Sequence, residues 1–214
     1  MKPHRVTTDF QTGQAQIFKN PFLESLTKTN PISNIIVYGI TIAAIAYVAI
    51  AMKGISVLGF LGLFAIGFAS WTLAEYLLHR YLFHWYNEWR WTKRFHFIMH
   101  GSHHQYPKDE ERLLMPPVPG LILASLLFGI FYLLFWIFGF PNLTWGYFPG
   151  FFLGYLMYSF VHRAIHVKRP PKRFKHLWHH HNLHHFQYPD KAYGVSNTFW
   201  DKVFGTMPPK PQKR

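Results

Sequence analysis

Four long apolar runs, nearly free of charge, limit how this chain can fold. The first extends from about Ile32 to Met52 without a charged residue. The second, from about Ile55 to Leu78, carries only Glu75 near its end and leads directly into His79. The third extends from about Pro119 to Phe140 and the fourth from about Tyr147 to Ala164. A helix crosses a bilayer with about 20 mainly apolar residues, so each run is read as a membrane span. Burying four such helices in a soluble bundle would require more polar covering than a chain with 14% charged residues supplies.

The short segment 139–146 joins runs three and four, and Lys53-Gly54 separates runs one and two, so the spans pair as two hairpins. Basic residues set the orientation. Of 22 Lys and Arg, 4 precede the first span, 6 lie between spans two and three, and 11 follow from Arg163; only Lys53 lies on the other side. The positive-inside rule assigns the side holding 21 of them, with both termini, to the cytosol. The formal net charge of +13 then serves attraction to anionic lipid headgroups. Nucleic acid is excluded as the partner, because the charges flank spans and no nucleic-acid motif accompanies them. The expected architecture is all-α and integral to a membrane, with four transmembrane helices in two hairpins under a cytosolic histidine-rich helical cap formed by 79–118 and 165–214. The membrane is a bacterial inner membrane or the endoplasmic reticulum. Residues 1–31 are expected to be a cytosolic or interfacial lead-in, too polar for a signal peptide, and 32–214 a single membrane domain.

With no cysteine among 214 residues, disulfides, thiolate metal sites and thiol nucleophiles are excluded. The 15 histidines carry the chemistry instead. Apart from His4, all lie between 79 and 185, on segments that leave spans two and four toward one compartment. They fall in four groups: His79 and His84; His96, His100, His103 and His104; His162 and His166; and HLWHHHNLHH from His176 to His185. Imidazoles three or four apart on a helix share a face and can clamp one ion. That spacing holds for His100 with His103 and His104, for His162 with His166, and for His181 with His184 and His185.

His79 and His84 are five apart, about 140° around an α-helix. Either the helix breaks between them or each serves a different metal. The adjacent pairs His103-His104 and His184-His185 point about 100° apart and would reach two neighbouring metals. A lone histidine near the headgroups is ordinarily a satisfied polar side chain, but four spaced groups together indicate metal binding. The ten candidates are His79, His84, His100, His103, His104, His162, His166, His181, His184 and His185, about five for each of two ions. His96, His176, His179 and His180 are assigned to the surface or to contacts behind the ligands. Zinc hydrolysis would use a carboxylate beside the ligands, as in HExxH, and that motif does not occur. Glu75, one turn before His79, either accepts that ring's other N–H or is a solvated interfacial acid.

The segments EYLLHRYLFHW (75–85), HFIMHGSHHQYPKDEERLLMPP (96–117), YSFVHRAIH (158–166) and HHNLHH followed by GVSNTFWDKVFGT (180–206) resemble the fatty acid hydroxylase superfamily of histidine-rich membrane di-iron enzymes. The resemblance is closest to its fatty acid 2-hydroxylase branch. It implies that the ten histidines hold two iron ions, with zinc able to replace them on purification. It also implies that O2 and external electrons serve to hydroxylate carbon 2 of a fatty acyl chain, free or in a ceramide-like lipid. With 31 residues before the first span there is no room for the fused cytochrome b5 domain of many members. A separate donor is therefore expected: a cytochrome b5-like protein, a ferredoxin or a reductase.

Two other readings compete. A desaturase or a sterol or carotenoid oxidase of the same superfamily would share nearly every feature. A membrane metal transporter would carry polar or unwound sites near the bilayer midplane, whereas here the ligands sit at span ends. Trp85, Tyr86, Trp89, Trp91, Phe186 and Tyr188 either wall an acyl entrance or form an ordinary interfacial belt.

Overall fold

Every regular element in the computed structural model, which describes residues 10–209, is helical. The order is α1 (Pro21–Ser25), α2 (Pro31–Tyr47), α3 (Val57–Leu77), α4 (Arg90–His96), α5 (Ser102–Gln105), α6 (Pro117–Ile137), α7 (Leu143–Val167), α8 (Lys175–Phe186) and α9 (Phe199–Val203). Three of these run on into π-helical turns: α2 through Val48–Met52, α3 through Leu78–Phe83 and α4 through Phe97–Gly101. His4 lies outside the described residues.

Local signals explain the boundaries. Asn30 caps α2 by accepting from the Ser33 amide, with Pro31 at the first helical position, where its missing N–H costs nothing. Pro117 opens α6 in the same way. Gly139, with φ of 85°, makes the turn after α6 in a region that favours glycine. The helix that follows begins at Leu143, four residues before the apolar run, because the turn closes within 138–142 and Thr144 to Gly146 are already helical.

By length and composition three helical segments can cross a membrane: Pro31–Met52, Val57–Phe83 and Glu110–Ile137. Their outer surfaces are apolar, with Leu58 83% exposed and Ile122 68% exposed, the reverse of a water-facing helix. The fourth expected span corresponds to α7. It is continuous over 25 residues but richer in glycine, aromatics and polar groups, and it is not among those three.

The chain packs as two compact units. One comprises residues 18–72 and 114–160. There α2 meets α6 through Asn34, whose amide donates to the Met115 carbonyl (2.9 Å), and through Tyr38, whose hydroxyl lies 3.0 and 3.1 Å from the Met115 and Pro116 carbonyls. Glycines bring α3 and α7 to backbone contact: a Cβ on Gly150 would stand 1.9 Å from the Phe64 carbonyl oxygen, and one on Gly154 2.5 Å from Trp71 Cβ. Close approach through small residues is how helices associate where lipid removes the hydrophobic drive.

The other unit comprises residues 10–17, 73–113 and 161–209 of those described. Its N-terminal segment is pinned by backbone and carboxylate contacts. Gln11 donates its amide to the Gln105 carbonyl (2.8 Å), and Ala15 donates to Asp109 Oδ2 (2.9 Å), which also pairs with Arg112 at 2.7 Å. Arg94 reaches the Ile17 carbonyl. This unit contains every one of the ten candidate histidines.

Candidate metal centre

The ten imidazoles converge in two groups of five. One holds His79, His84, His100, His104 and His184; the other holds His103, His162, His166, His181 and His185. Within each group the ring nitrogens all lie within 4.8 Å of one another. The groups are neighbours, since the His104 ring stacks on that of His185 at 4.2 Å.

Helix geometry explains the sorting. His100 with His104, His162 with His166, and His181 with His185 are i,i+4 pairs, and each stays in one group. His103 and His184 each sit next to a member of the opposite group, so each joins the other cluster. The triads that spacing alone would clamp on one ion are thus split two and one.

His79 and His84 also share a group, contrary to both alternatives drawn from an ideal α-helix. The helix neither breaks nor sends the pair to different clusters. It widens, and the His84 amide donates to the His79 carbonyl at 3.3 Å in the i→i+5 pattern of a π turn. That bond runs along the axis, so residues five apart stand on one face.

Several contacts fix which nitrogen faces inward. His79 Nδ1 lies 2.5 Å from the Tyr193 carbonyl and His184 Nδ1 lies 2.7 Å from the Lys191 carbonyl. A carbonyl only accepts, so both Nδ1 atoms carry the proton and both Nε2 atoms present bare lone pairs. Glu75 does not take the proton of His79. It is buried and accepts instead from the Val195 and Ser196 amides (2.7 and 2.8 Å) and from Ser196 Oγ (2.5 Å). A buried carboxylate needs several donors, and the loop 195–196 supplies three where one ring N–H would supply one.

His96 Nδ1 donates to the Phe83 carbonyl at 2.8 Å, and His180 Nε2 pairs with Asp201 Oδ2 at 3.0 Å; neither joins a cluster. His176 and His179 are exposed. Trp85, Trp89 and Trp91 form an exposed aromatic group, Trp85 against Trp91 at 5.1 Å, while Phe186 packs edge-on against Phe10 at 4.6 Å. Asp201 and the carbonyls of Lys191 and Tyr193 were not singled out by sequence. A backbone acceptor has no residue signature; the lone Asp in the apolar stretch FWDKVF was the available signal.

The inward nitrogens crowd in a way that hydrogen bonding cannot satisfy. In the first group His100 Nε2 lies 3.0 Å from both His79 Nε2 and His104 Nε2, and His84 Nε2 lies 3.1 Å from His184 Nε2. In the second, separations of 2.9 to 3.0 Å link His162, His103, His185, His181 and His166 in a row. Each such nitrogen carries either one proton or one lone pair, so one with two imidazole neighbours can satisfy only one. Protonation is not the remedy: burial, reinforced by the neighbouring imidazoles, holds His100, His103, His104, His181 and His185 well below the ordinary imidazole range. Burial does the same to His184. A shared cation resolves the crowding, because two nitrogens at right angles on an ion about 2.1 Å away stand about 3.0 Å apart. The donor set of neutral, buried imidazoles fits a metal in each group.

The family model described as fatty acid hydroxylase matches residues 64–206. The chain is 39% identical over 119 residues to the dihydroceramide fatty acyl 2-hydroxylase of Arabidopsis thaliana, which covers 55% of this chain and 48% of that protein. It is 40% identical over 118 residues to the fatty acid 2-hydroxylase of Homo sapiens, covering 54% of this chain and 30% of that one. The chain therefore spans about half or less of the length of these relatives. A solved structure described as full-length scs7p with only the hydroxylase domain visible matches with a TM-score of 0.81 and 34% identity, over 94% of this chain and 76% of that one.

Proposed function

Because this chain belongs to the fatty acid hydroxylase family, we propose that it is a membrane monooxygenase that hydroxylates carbon 2 of a fatty acyl chain, free or within a ceramide-like lipid. The convergence of ten imidazoles into two adjacent groups of five carries this reading. Each group holds one ion, iron in the active enzyme and zinc where zinc outcompetes it. The metals supply the activation of O2 that breaking an unactivated C–H bond demands, with electrons from an external redox partner.

The chain's own residues do the rest. The Tyr193 and Lys191 carbonyls hold the protons of His79 and His184 at Nδ1, so both rings offer Nε2 inward. Burial keeps the ligands neutral and excludes water from the two groups, with His181 and His184 fully buried. The names of the relatives in Arabidopsis and human support the acyl substrate and the 2-position. Residues 32–214 act as one membrane domain. Four spans, with α7 as the fourth, place both termini and the histidines in the cytosol; the grouping of 21 of 22 basic residues supports that orientation.

The test is expression in a host without 2-hydroxylated lipids, with a reductase supplied, followed by lipid mass spectrometry. The expected products are 2-hydroxy acyl chains that vanish in His103→Ala and His184→Ala. New double bonds or oxidised sterol or carotenoid rings in their place would move the protein to another branch of the family. Metal uptake into vesicles without any oxidised lipid would make it a transporter.

A further inference from the structure

The loop 191–196 faces two ways. Its carbonyls at Lys191 and Tyr193 receive the Nδ1 protons of His184 and His79. Its five consecutive amides point elsewhere: Ala192 to the Thr206 carbonyl (2.8 Å), Tyr193 and Gly194 to the two oxygens of Asp201 (2.9 and 2.7 Å), Val195 and Ser196 to Glu75 Oε1. Such saturation is needed because the loop is strained. Ala192 is fully buried with φ of 59° in the left-handed region, which a non-glycine residue holds only when its surroundings impose it. At Gly194 a Cβ would fall 2.1 Å from the Asn197 carbonyl oxygen and 2.8 Å from Asp201 Oδ2. Asp201 is itself fixed by His180 Nε2 (3.0 Å) and Thr206 Oγ1 (2.7 Å).

We propose that Asp201 and Glu75 are positioning residues for the first metal site: by holding the loop 191–196 they aim the Lys191 and Tyr193 carbonyls at His184 and His79, and so set that site's metal affinity without touching the metal. The loop carbonyls at Lys191 and Tyr193 receive protons from first-group rings, whereas the second group meets Asp201 through His180, the neighbour of His181. Buried Nδ1 atoms without a hydrogen-bond partner among the described residues occur in both groups, at His104 in the first and at His181 and His185 in the second. Because the loop orients two rings of the first group, loosening it weakens that site alone. This inference rests on the reading of both groups as metal sites.

The experiment measures Zn2+ bound per chain, and its release to a chelator, in detergent-purified protein whose helical circular dichroism is checked in parallel. Asp201→Ala is expected to weaken one of two zinc ions about 10- to 100-fold, the usual cost of losing an orienting partner, and to leave the other at wild-type affinity. Glu75→Ala should behave likewise, whereas Glu75→Gln, which keeps an oxygen for both amides, should restore near wild-type retention. If Asp201→Ala does not fold, Asp201→Asn carries the test, keeping the shape and one acceptor oxygen.

Site assignment comes from paired variants. With the second group disabled by His103→Ala, Asp201→Asn should weaken the remaining ion; with the first disabled by His104→Ala, it should not. Equal weakening of both ions, or of neither, overturns the proposal while leaving the two-metal reading intact. A wild-type chain that binds no zinc overturns both.

Discussion

His103 and His104 are neighbours in the chain, yet their rings lie 6.1 Å apart at 73° and serve different clusters. His103 approaches His162 and His185 at 2.9 and 3.0 Å, and His104 approaches His100 at 3.0 Å. One residue step on a helix thus separates the two groups of imidazoles.

Replacing either member should cost one metal, not both. His103→Ala and His104→Ala are each expected to retain about one ion per chain and to lower 2-hydroxy product by more than the roughly 10–100-fold that loss of a partner behind a ligand costs. The double variant should retain almost none. Elemental analysis decides this, and loss of both ions from either single variant would mean that the groups act as one site.

The metal-free protein should lose stability as pH falls below about 6.5. His100, His103, His104, His181, His184 and His185 are held by burial well below the ordinary imidazole range, while in the unfolded chain they titrate near 6.5. Above that pH both states are neutral and these groups add no pH dependence. Below it the unfolded chain binds protons that the fold refuses, and each such imidazole removes about 1.4 kcal/mol per pH unit until its folded pKa is reached. Asp201 belongs to a lower window. Burial alone would raise its carboxyl, but hydrogen bonds from His180, Thr206 and the Gly194 amide hold it below the ordinary range. Thermal unfolding in detergent at pH 7.5 and 5.5 measures the effect, and an unchanged midpoint would contradict it.

Gly150→Ala should disrupt the packing of α3 on α7. The added methyl would meet the Phe64 backbone oxygen at 1.9 Å, and backbone cannot rotate away. Overpacking of this kind costs about 1–3 kcal/mol or more, a fall in midpoint of roughly 2–4 °C per kcal/mol in a chain of this size. Gly129→Ala, with nothing within 4 Å of its Cβ position, is the control and should leave the midpoint in place.

Four spans require Lys53 and Lys108 to face opposite compartments. A cysteine placed at Lys53 should react with an impermeant reagent only from the side opposite the histidines, and one at Lys108 only from their side. Reaction of both from one side would mean that the α3 segment between them does not cross, and would overturn the four-span arrangement.

Much of this centre could be read from residue spacing, because the i,i+4 rule picks pairs such as His162 with His166 without any structure. The same rule fails at His79 and His84. A π turn differs from an α turn by one residue per hydrogen bond, and nothing in HRYLFH announces it. Glu75 was singled out as the acid nearest the first histidines, but it is buried and bonds to a loop instead of to the His79 ring. The donors that claim it, Val195 and Ser196, are 120 residues away and act through backbone amides. The helices followed from their apolar runs; the early start of α7 did not, since Thr144 to Gly146 read as turn residues while packing makes them helical.

The first cluster spans residues 79 to 184 and the second 103 to 185. The first group therefore gathers histidines up to 105 residues apart, and the second histidines up to 82 apart. A chain cut anywhere between His104 and His162 would thus divide both groups at once, so neither can be assembled from one half of the sequence alone.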